Sequence, residues 1–401
     1  MKILLLTDYY PPDRVGGVGV IAKELKAAYE DLGHEVHVLT SGPRRTDDLR
    51  RNVHRTSPKM LWALFLNNFR ALRLIRREGF SLVHMHHASS TVFLLSLWLQ
   101  RVPPFVLDSL QVSYRSEARE IRTFTVRGYR LRPRLREWVE KLVTCPIHTA
   151  MDWLGYKLSD AVTVVSRQNR EELVTEFGKP RKGGCPFVIP NGAGTLSHLK
   201  AGDPGFRDAV LEERLTGKTV LLNVGVFRVR KRVQNLLFSM QDIVPEFPEA
   251  RLVLVGGGRG YEDSLCSLAR QLGIEDAVEL VGSVPHERIG YYLGLSDIFC
   301  LLSSYEGMPM ALLEAMRAGK AVVATDCYGM RDILSGEDAG LLVPVDDIPA
   351  TSEALKHLLA DPERRAALGR SARQLARSQF SWTKIAEQYL EAFGGHGSQS
   401  N

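Results

Sequence analysis

An α/β protein built from two parallel-sheet domains is what this sequence predicts, on three observations. The chain has 401 residues, beyond the ~250–300 residues at which a single core stops growing. Apolar runs of strand length recur in both halves with segments of helical spacing between them, the alternation of a parallel sheet covered by helices. A polar stretch containing Gly and Pro, from Pro190 to near Lys218, separates the two series as a domain crossing would. Hydrophobic residues at 44% and charged residues at 24% fit a globular chain and exclude a disordered one.

Taken in order, Ile3 to Leu6 reads as a buried strand. A turn with Gly16, Gly17 and Gly19 leads into a helix whose apolar side is Ile21, Leu25, Ala28, Tyr29 and Leu32, and Gly33 stops it. Val36 and Val38 resume a strand, completing a βαβ unit. Strands at Leu82 to Met85, Phe105 to Leu107, Ala161 to Val165 and Phe187 to Ile189 fill out the first domain. The second series runs through Val220 to Val224, Leu252 to Val255, Val278 to Val281, Ile298 to Leu302, Ala321 to Ala324 and Leu341 to Val343. The stretch FSWTKIAEQYLEAF carries Trp382, Ile385, Ala386, Tyr389, Leu390 and Phe393 on one helical side, so it is expected to pack on a domain surface. The expected divisions are residues 1–195, 196–378, a terminal helix at 379–394 and a disordered tail at 395–401, where apolar residues are lacking.

Five scattered cysteines (Cys145, Cys185, Cys266, Cys300, Cys327) show neither C-x-x-C nor Cys/His spacing, which predicts a reducing compartment and no metal centre. MKILLLTDYY is too short an apolar run for a signal peptide. No run approaches the ~20 residues of a membrane span, so a cytoplasmic protein is expected. Charge is uneven: nine basic against four acidic residues lie between Val112 and Cys145, in a chain whose formal net charge is +6. Arg127, Arg130, Arg132, Arg134 and Arg136 alternate there with Phe124, Tyr129 and Trp138, a composition that suits an anionic membrane surface or nucleic acid. A solvated helical face is the plainer reading. Leu61, Leu64, Phe65, Phe69 and Leu72, between Met60 and Leu74, form an apolar face that would join the arginines in docking at the inner side of a membrane.

Three stretches carry chemistry. In SSYEGMPMALLEAMRAG, from Ser303 to Gly319, Glu306 is predicted in a loop and Glu314 in a helix, with Pro309 fitting its first turn. The amides from Met308 to Leu312, Pro309 excepted, would face an anion. Gly225 closes a strand and is followed by Arg228, Arg230, Lys231 and Arg232. Four cations on a strand-end loop suit a diphosphate, with Lys231 a point charge and Arg228 a bidentate donor. Gly16 and Gly17 stand where backbone amides can approach a phosphate. The GGGRG from Gly256 to Gly260 is not the G-x-G-x-x-G of dinucleotide folds and reads as a tight turn. His84, His86 and His87 end a strand without a carboxylate partner, a poor metal signal.

Together these residues resemble a retaining glycosyltransferase of family 4 (glycosyl transferases group 1), over nearly the whole length. The match rests on Glu306 to Glu314 followed by EAMRAGKAVVATD, and on GGVGVIAKEL, VTVVS, IPNG, the Lys231 loop, LVLVGGG and VELVGSVPHERIGYYLGLSDIFCLLSS. The resemblance implies the GT-B fold: two Rossmann-like domains facing a central cleft, the first on the acceptor side, the second binding the nucleotide sugar, and the terminal helix returning to the first. It implies that Glu306 binds the donor sugar and Glu314 the ribose, and that Lys231, with Arg228, neutralises the diphosphate. Donor contacts fall to Gly16, Gly17, Gly225, Gly282, Val284, Gly307, Met308, Met310 and Ala311. Two departures stand out. Val226 occupies the place of an arginine common in the family, leaving Arg228 as its substitute, and Leu110 falls where a cleft histidine is usual. Asp108, Gln111, His86 and His87 are the candidates for that acceptor side.

The expected activity is transfer of a hexose-type sugar, with retention, from a nucleoside diphosphate (UDP before GDP) to the hydroxyl of a glycan or lipid acceptor, without cofactor or metal. Two alternatives compete: a glycoside hydrolase using Glu306 and Glu314 as its dyad, and a basic membrane- or nucleic-acid-binding module. The transferase reading leads, with an anionic membrane as a secondary partner and no nucleic acid expected.

Overall fold

The computed structural model describes residues 1–7, 10–11, 17–41, 52–56, 73–86, 105–180, 184–194, 206–258, 260–335 and 338–397. Gly16, His87 and the apolar residues Leu61, Leu64, Phe65, Phe69 and Leu72 lie outside them. The chain divides into two units. The first comprises Met1–Ala118, Glu140–Gly192 and Ser381–Asn401, the second Arg119–Val139 and Ala193–Phe380.

The first unit is a seven-stranded sheet in the order β3-β2-β1-β4-β5-β8-β9. Its strands are β1 (Lys2–Thr7), β2 (Glu35–Ser41), β3 (Val53–Thr56), β4 (Leu82–His86), β5 (Phe105–Leu110), β8 (Ala161–Val164) and β9 (Phe187–Val188). Every pairing is parallel. Ile3, Leu4 and Leu5 are wholly buried, as a strand covered on both faces requires. Helix Gly17–Asp31 buries Ile21, Leu25, Ala28 and Tyr29, the side its periodicity marked, and ends where Gly33 turns left-handed at φ +83°. The helix Trp382–Gly397 belongs to this unit and runs past residue 394 into the stretch expected to be tail. Trp382, Ile385, Ala386 and Tyr389 are buried, and the Tyr389 ring lies 4.4 Å from that of His84.

The second unit is a six-stranded parallel sheet in the order β12-β11-β10-β13-β14-β15. These strands are β10 (Thr219–Val224), β11 (Ala250–Val255), β12 (Val278–Gly282), β13 (Ile298–Leu301), β14 (Ala321–Thr325) and β15 (Leu341–Val343). The order places β10 in the interior with β11 and β13 on either side, so the loops after these three strands are neighbours at one sheet edge.

Arg119–Val139 interrupts the first unit in sequence and clusters with the second. It contains an antiparallel hairpin, β6 (Phe124–Val126) and β7 (Tyr129–Leu131), turned by Arg127 and Gly128, both at positive φ. Phe124, Val126 and Tyr129 pack on the second core. Arg127 forks onto Asp242 at 2.8 and 2.6 Å, and the Arg232 guanidinium lies 4.1 Å from the centre of the Phe124 ring. The chain therefore passes four times between units.

Candidate active site

In the second unit, Glu306 lies between β13 and the helix Met310–Ala318. That helix starts one residue later than the sequence suggested. Pro309 takes the N-cap place with an extended backbone, φ −76° and ψ 115°, and the Leu312 amide is already used by the Pro309 carbonyl at 3.2 Å. The anion-facing run of amides is shorter accordingly.

The Glu306 carboxylate is buried. Ser303 Oγ donates to its Oε1 at 2.6 Å, Lys231 Nζ donates to the same oxygen, and Arg230 reaches Oε2 at 3.4 Å. Burial alone would push this carboxyl up. The Lys231 and Arg230 charges, with the Lys231 and Ser303 hydrogen bonds, outweigh it and hold the group at about 2, below its ordinary 4.5. Arg230 also donates to the Tyr305 carbonyl at 2.9 Å, fastening the loop on which Glu306 sits. A second clamp comes from Gly329, whose amide reaches the Glu306 carbonyl at 3.4 Å. A Cβ at Gly329 would lie 1.8 Å from the Gly307 carbonyl oxygen, so only glycine permits this approach.

The loop of four cations is not uniform. Val229–Lys231 form a single 3-10 turn and Arg232 adopts a left-handed backbone at φ 49°. This turns its guanidinium inward. Arg232 is 0% exposed, donates to Asp346 Oδ1 at 3.0 Å and to the Val229 carbonyl at 2.7 Å, and lies 3.5 Å from Glu120. The expectation of four cations for a diphosphate is corrected to three, because Arg232 is a structural side chain. Arg228, half-buried, precedes the turn with an extended backbone, and Val226 is exposed. Beside them Gly225 and Gly256 approach so closely that a Cβ on Gly256 would lie 1.9 Å from the Gly225 carbonyl oxygen.

Glu314 is buried on the helix, with Oε1 3.3 Å from His286 Nε2 but without an aligned hydrogen bond. Gly194 lies against it, its Cβ position 4.0 Å from that oxygen. His286 follows Gly282 and Val284 in the loop after β12, which brings that loop to Glu314. Gly307, Met308, Met310 and Ala311 continue from Glu306 into the helix.

In the first unit, Gly17 opens its helix. Asp108 is buried near the end of β5. Asp152, on the helix Cys145–Leu158, has its carboxyl pushed well up by burial and then by Asp108 and Glu176. Gln111 Oε1 accepts from Asn191 at 2.9 Å. Leu110 packs with Tyr156, Val162, Val164 and Leu173, so the place of the missing histidine belongs to the apolar core. His86 is buried with neither ring nitrogen hydrogen-bonded, and burial lowers it to about 3. His84 is 2.9 Å from Tyr29 Oη and 2.8 Å from Ser109 Oγ, a structural histidine. Among the described residues no group of three His, Cys, Asp or Glu could hold a metal ion, and no helix is long and apolar enough to cross a membrane.

The sequence reading missed Ser303, His286 and Gly329. Ser303 had a signal, since it stands three residues before Glu306; His286 and Gly329 approach the site only through the fold.

Two family models match the chain: Glycosyltransferase Family 4 over residues 15–195 and Glycosyl transferases group 1 over residues 210–375. The chain is 28% identical over 403 residues to the N-acetyl-alpha-D-glucosaminyl L-malate synthase of Bacillus anthracis, covering 97% of this chain and 96% of that protein. It is 27% identical to the alpha-maltose-1-phosphate synthase of Mycolicibacterium smegmatis, covering 98% and 99%. Its fold is similar to that of the sucrose-phosphate synthase of Thermosynechococcus elongatus, with a TM-score of 0.77, 22% identity and full coverage of both chains. It is also similar to Anabaena HepE in complex with UDP-glucose, with a TM-score of 0.75, 17% identity and coverage of 98% and 100%.

Proposed function

Because this chain belongs to glycosyltransferase family 4 and has the GT-B fold, we propose that it transfers a hexose-type sugar from a nucleoside diphosphate, UDP before GDP, to an acceptor hydroxyl with retention. The observation that carries this reading is the Lys231–Glu306–Ser303 cluster. An ionised carboxylate accepts hydrogen bonds from sugar hydroxyls. A lysine ammonium has three N–H donors, so Lys231 can keep Glu306 and still meet a diphosphate. Arg228 adds a second cation. Glu314, with an oxygen lacking a hydrogen bond, suits the ribose.

In the proposed reaction the bond between the anomeric carbon and the leaving phosphate oxygen breaks, and the acceptor oxygen bonds that carbon on the same face. The acceptor proton passes to the leaving phosphate oxygen. Charge grows on the diphosphate, where Lys231 and Arg228 stabilise it; Glu306 holds the sugar and is not a nucleophile. No metal or cofactor is required in this scheme. Asp108, Gln111 and His86 are assigned to the acceptor side. The test is release of nucleoside diphosphate from a panel of UDP-, GDP- and ADP-sugars. Hydrolysis of nitrophenyl glycosides with no nucleoside diphosphate release would instead favour the hydrolase reading, for which Glu306, held at about 2, is unsuited as the general acid.

A lipid-linked acceptor at an anionic membrane is the second part of the proposal, and one observation favours it. Leu135, 81% exposed, stands with exposed Trp138 and Val139 beside exposed Arg130, Arg132 and Arg136, an apolar and basic mixture suited to a lipid interface. Arg127 and Arg134, expected to share this role, are committed to Asp242 and to the Gly260 carbonyl. Salt-sensitive co-sedimentation with phosphatidylglycerol vesicles, lost in Leu135→Ser/Trp138→Ser, is the expected outcome; equal binding by the variant removes this part.

A further inference from the structure

The second unit carries a group of arginines outside the donor loops and, among the described residues, without counter-charge. On the helix Pro362–Gln379, Arg370, Arg373 and Arg377 repeat at helical spacing and are exposed. Arg317 joins them from the last turn of the helix Met310–Ala318. Close backbone packing brings these helices together. A Cβ on Gly369 would lie 2.2 Å from the Gly319 carbonyl oxygen, and the Cδ of Arg373 lies 3.5 Å from the Cβ position of Gly319.

Neighbouring arginines on the same helix are satisfied. Arg364 forks onto Asp338 at 3.1 and 2.8 Å, and Arg365 donates to the Leu358 and Leu359 carbonyls. Arg317, Arg370, Arg373 and Arg377 have no hydrogen bond or ion pair among the described residues, and Arg317 Nε is buried without an acceptor. Burial lowers the Arg317 guanidinium from its ordinary value, and the charges of Arg377 and Arg373 lower it further. A cation at a helix C-terminus interacts favourably with the backbone dipole. That accounts for one arginine at each helix end, but not for three guanidinium groups close enough to repel, nor for a buried donor left unused.

We propose that Arg317, Arg373 and Arg377 form a binding site for a phosphate group, with Arg370 at its edge. Forked guanidinium donors match the several acceptor oxygens of a tetrahedral dianion, and a bound phosphate removes the repulsion among the three cations. The site is independent of the donor assignment, although Arg317 stands three residues after Glu314 on the same helix. A free phosphate and the headgroup of a phosphatidic acid present the same chemistry.

The experiment compares the 401-residue chain with and without R317Q/R373Q/R377Q by calorimetric titration of inorganic phosphate at constant ionic strength. Lys231→Ala serves as background in both proteins, so that phosphate binding at the donor loop is weakened and contributes equally to the two. The expected result is at least a 10-fold weaker phosphate affinity in the triple variant. Equal affinities, or heat reproduced by chloride, overturn the site. Co-sedimentation with phosphatidylcholine vesicles, plain or containing phosphatidic acid, separates the sources. Binding that needs both phosphatidic acid and the arginines assigns a headgroup; phosphate binding without vesicle binding assigns a soluble phosphate. An unchanged melting temperature of the variant in phosphate-free buffer shows that its fold persists.

Discussion

Lys231 and Glu306 illustrate how a pair of opposite charges can be both stabilising and poised for a ligand. Removing Lys231 leaves a buried carboxylate held by Ser303 and a more distant Arg230, and in the proposed reaction takes a cation away from the leaving diphosphate. Lys231→Ala is expected to lower turnover by about 100-fold or more, measured as nucleoside diphosphate release. The pH dependence follows from Glu306. Its folded value of about 2 lies below its ordinary 4.5, so its contribution is full above 4.5 and fades as pH falls through 2. Urea unfolding of Glu306→Gln should show a flatter loss of stability than wild type between those values; identical slopes would refute the assigned pairing. Both residues were legible singly, because a carboxylate doublet at a helix start and a lysine after a strand-end glycine are local patterns; their ion pair, which joins positions far apart in sequence, was not. Arg232 was not, since its role depends on a left-handed backbone that directs it into Phe124 and Asp346, residues far away in sequence.

At the scale of elements, the helices and strands that were legible are those with an apolar period of their own. Each strand inferred for the second sheet is present: β10, β11, β13 and β14 are largely buried and apolar, as parallel strands covered on both faces are, and the half-buried β12 and β15 keep short apolar runs. β3, VHRT, and the β6–β7 hairpin, FTV and YRL, escaped, since strands of three or four residues are too short to show a period of their own and are held by partners elsewhere. The segment that looked like a free basic face is fastened to the second unit. Glu137, buried, accepts from the Arg134 amide at 3.0 Å, from the Val229 amide at 3.3 Å and from the Tyr261 hydroxyl. Val229 opens the turn that bears Lys231, so this segment supports the cation loop. Tyr261→Phe removes one donor from a buried carboxylate and should destabilise by about 1–3 kcal/mol, measured by chemical unfolding. Gly329→Ala inserts a methyl group against the Gly307 carbonyl. An overpacking cost of about 1–3 kcal/mol is expected, with a fall in kcat/KM for the donor larger than that of the alanine variant at exposed Gly394, where nothing lies within 4 Å.

At the scale of the whole molecule, chain order and folding units differ, and the terminal helix tests what that means. Trp382–Gly397 is last in sequence yet completes the first unit. Tyr389 packs on His84 and His86, Phe393 on Phe105 at 5.2 Å, and Trp382 fills the space left by Gly192, where a Cβ would lie 2.4 Å from the ring. Burying Trp382, Ile385 and Tyr389 contributes about 1.5–3 kcal/mol each, a sum comparable with the ~5–15 kcal/mol stability of a whole domain. Truncation after Phe380 should therefore unfold the first unit and leave the second, whose core draws on none of these side chains. Limited proteolysis with mass spectrometry is the measurement. The expected outcome is rapid cleavage within 1–118 and 140–192 and survival of 119–139 together with 206–380. Equal protection of both units would mean that the first sheet holds without its last helix, and the helix would then be a cover for Tyr29 and His84 and not part of the folding unit.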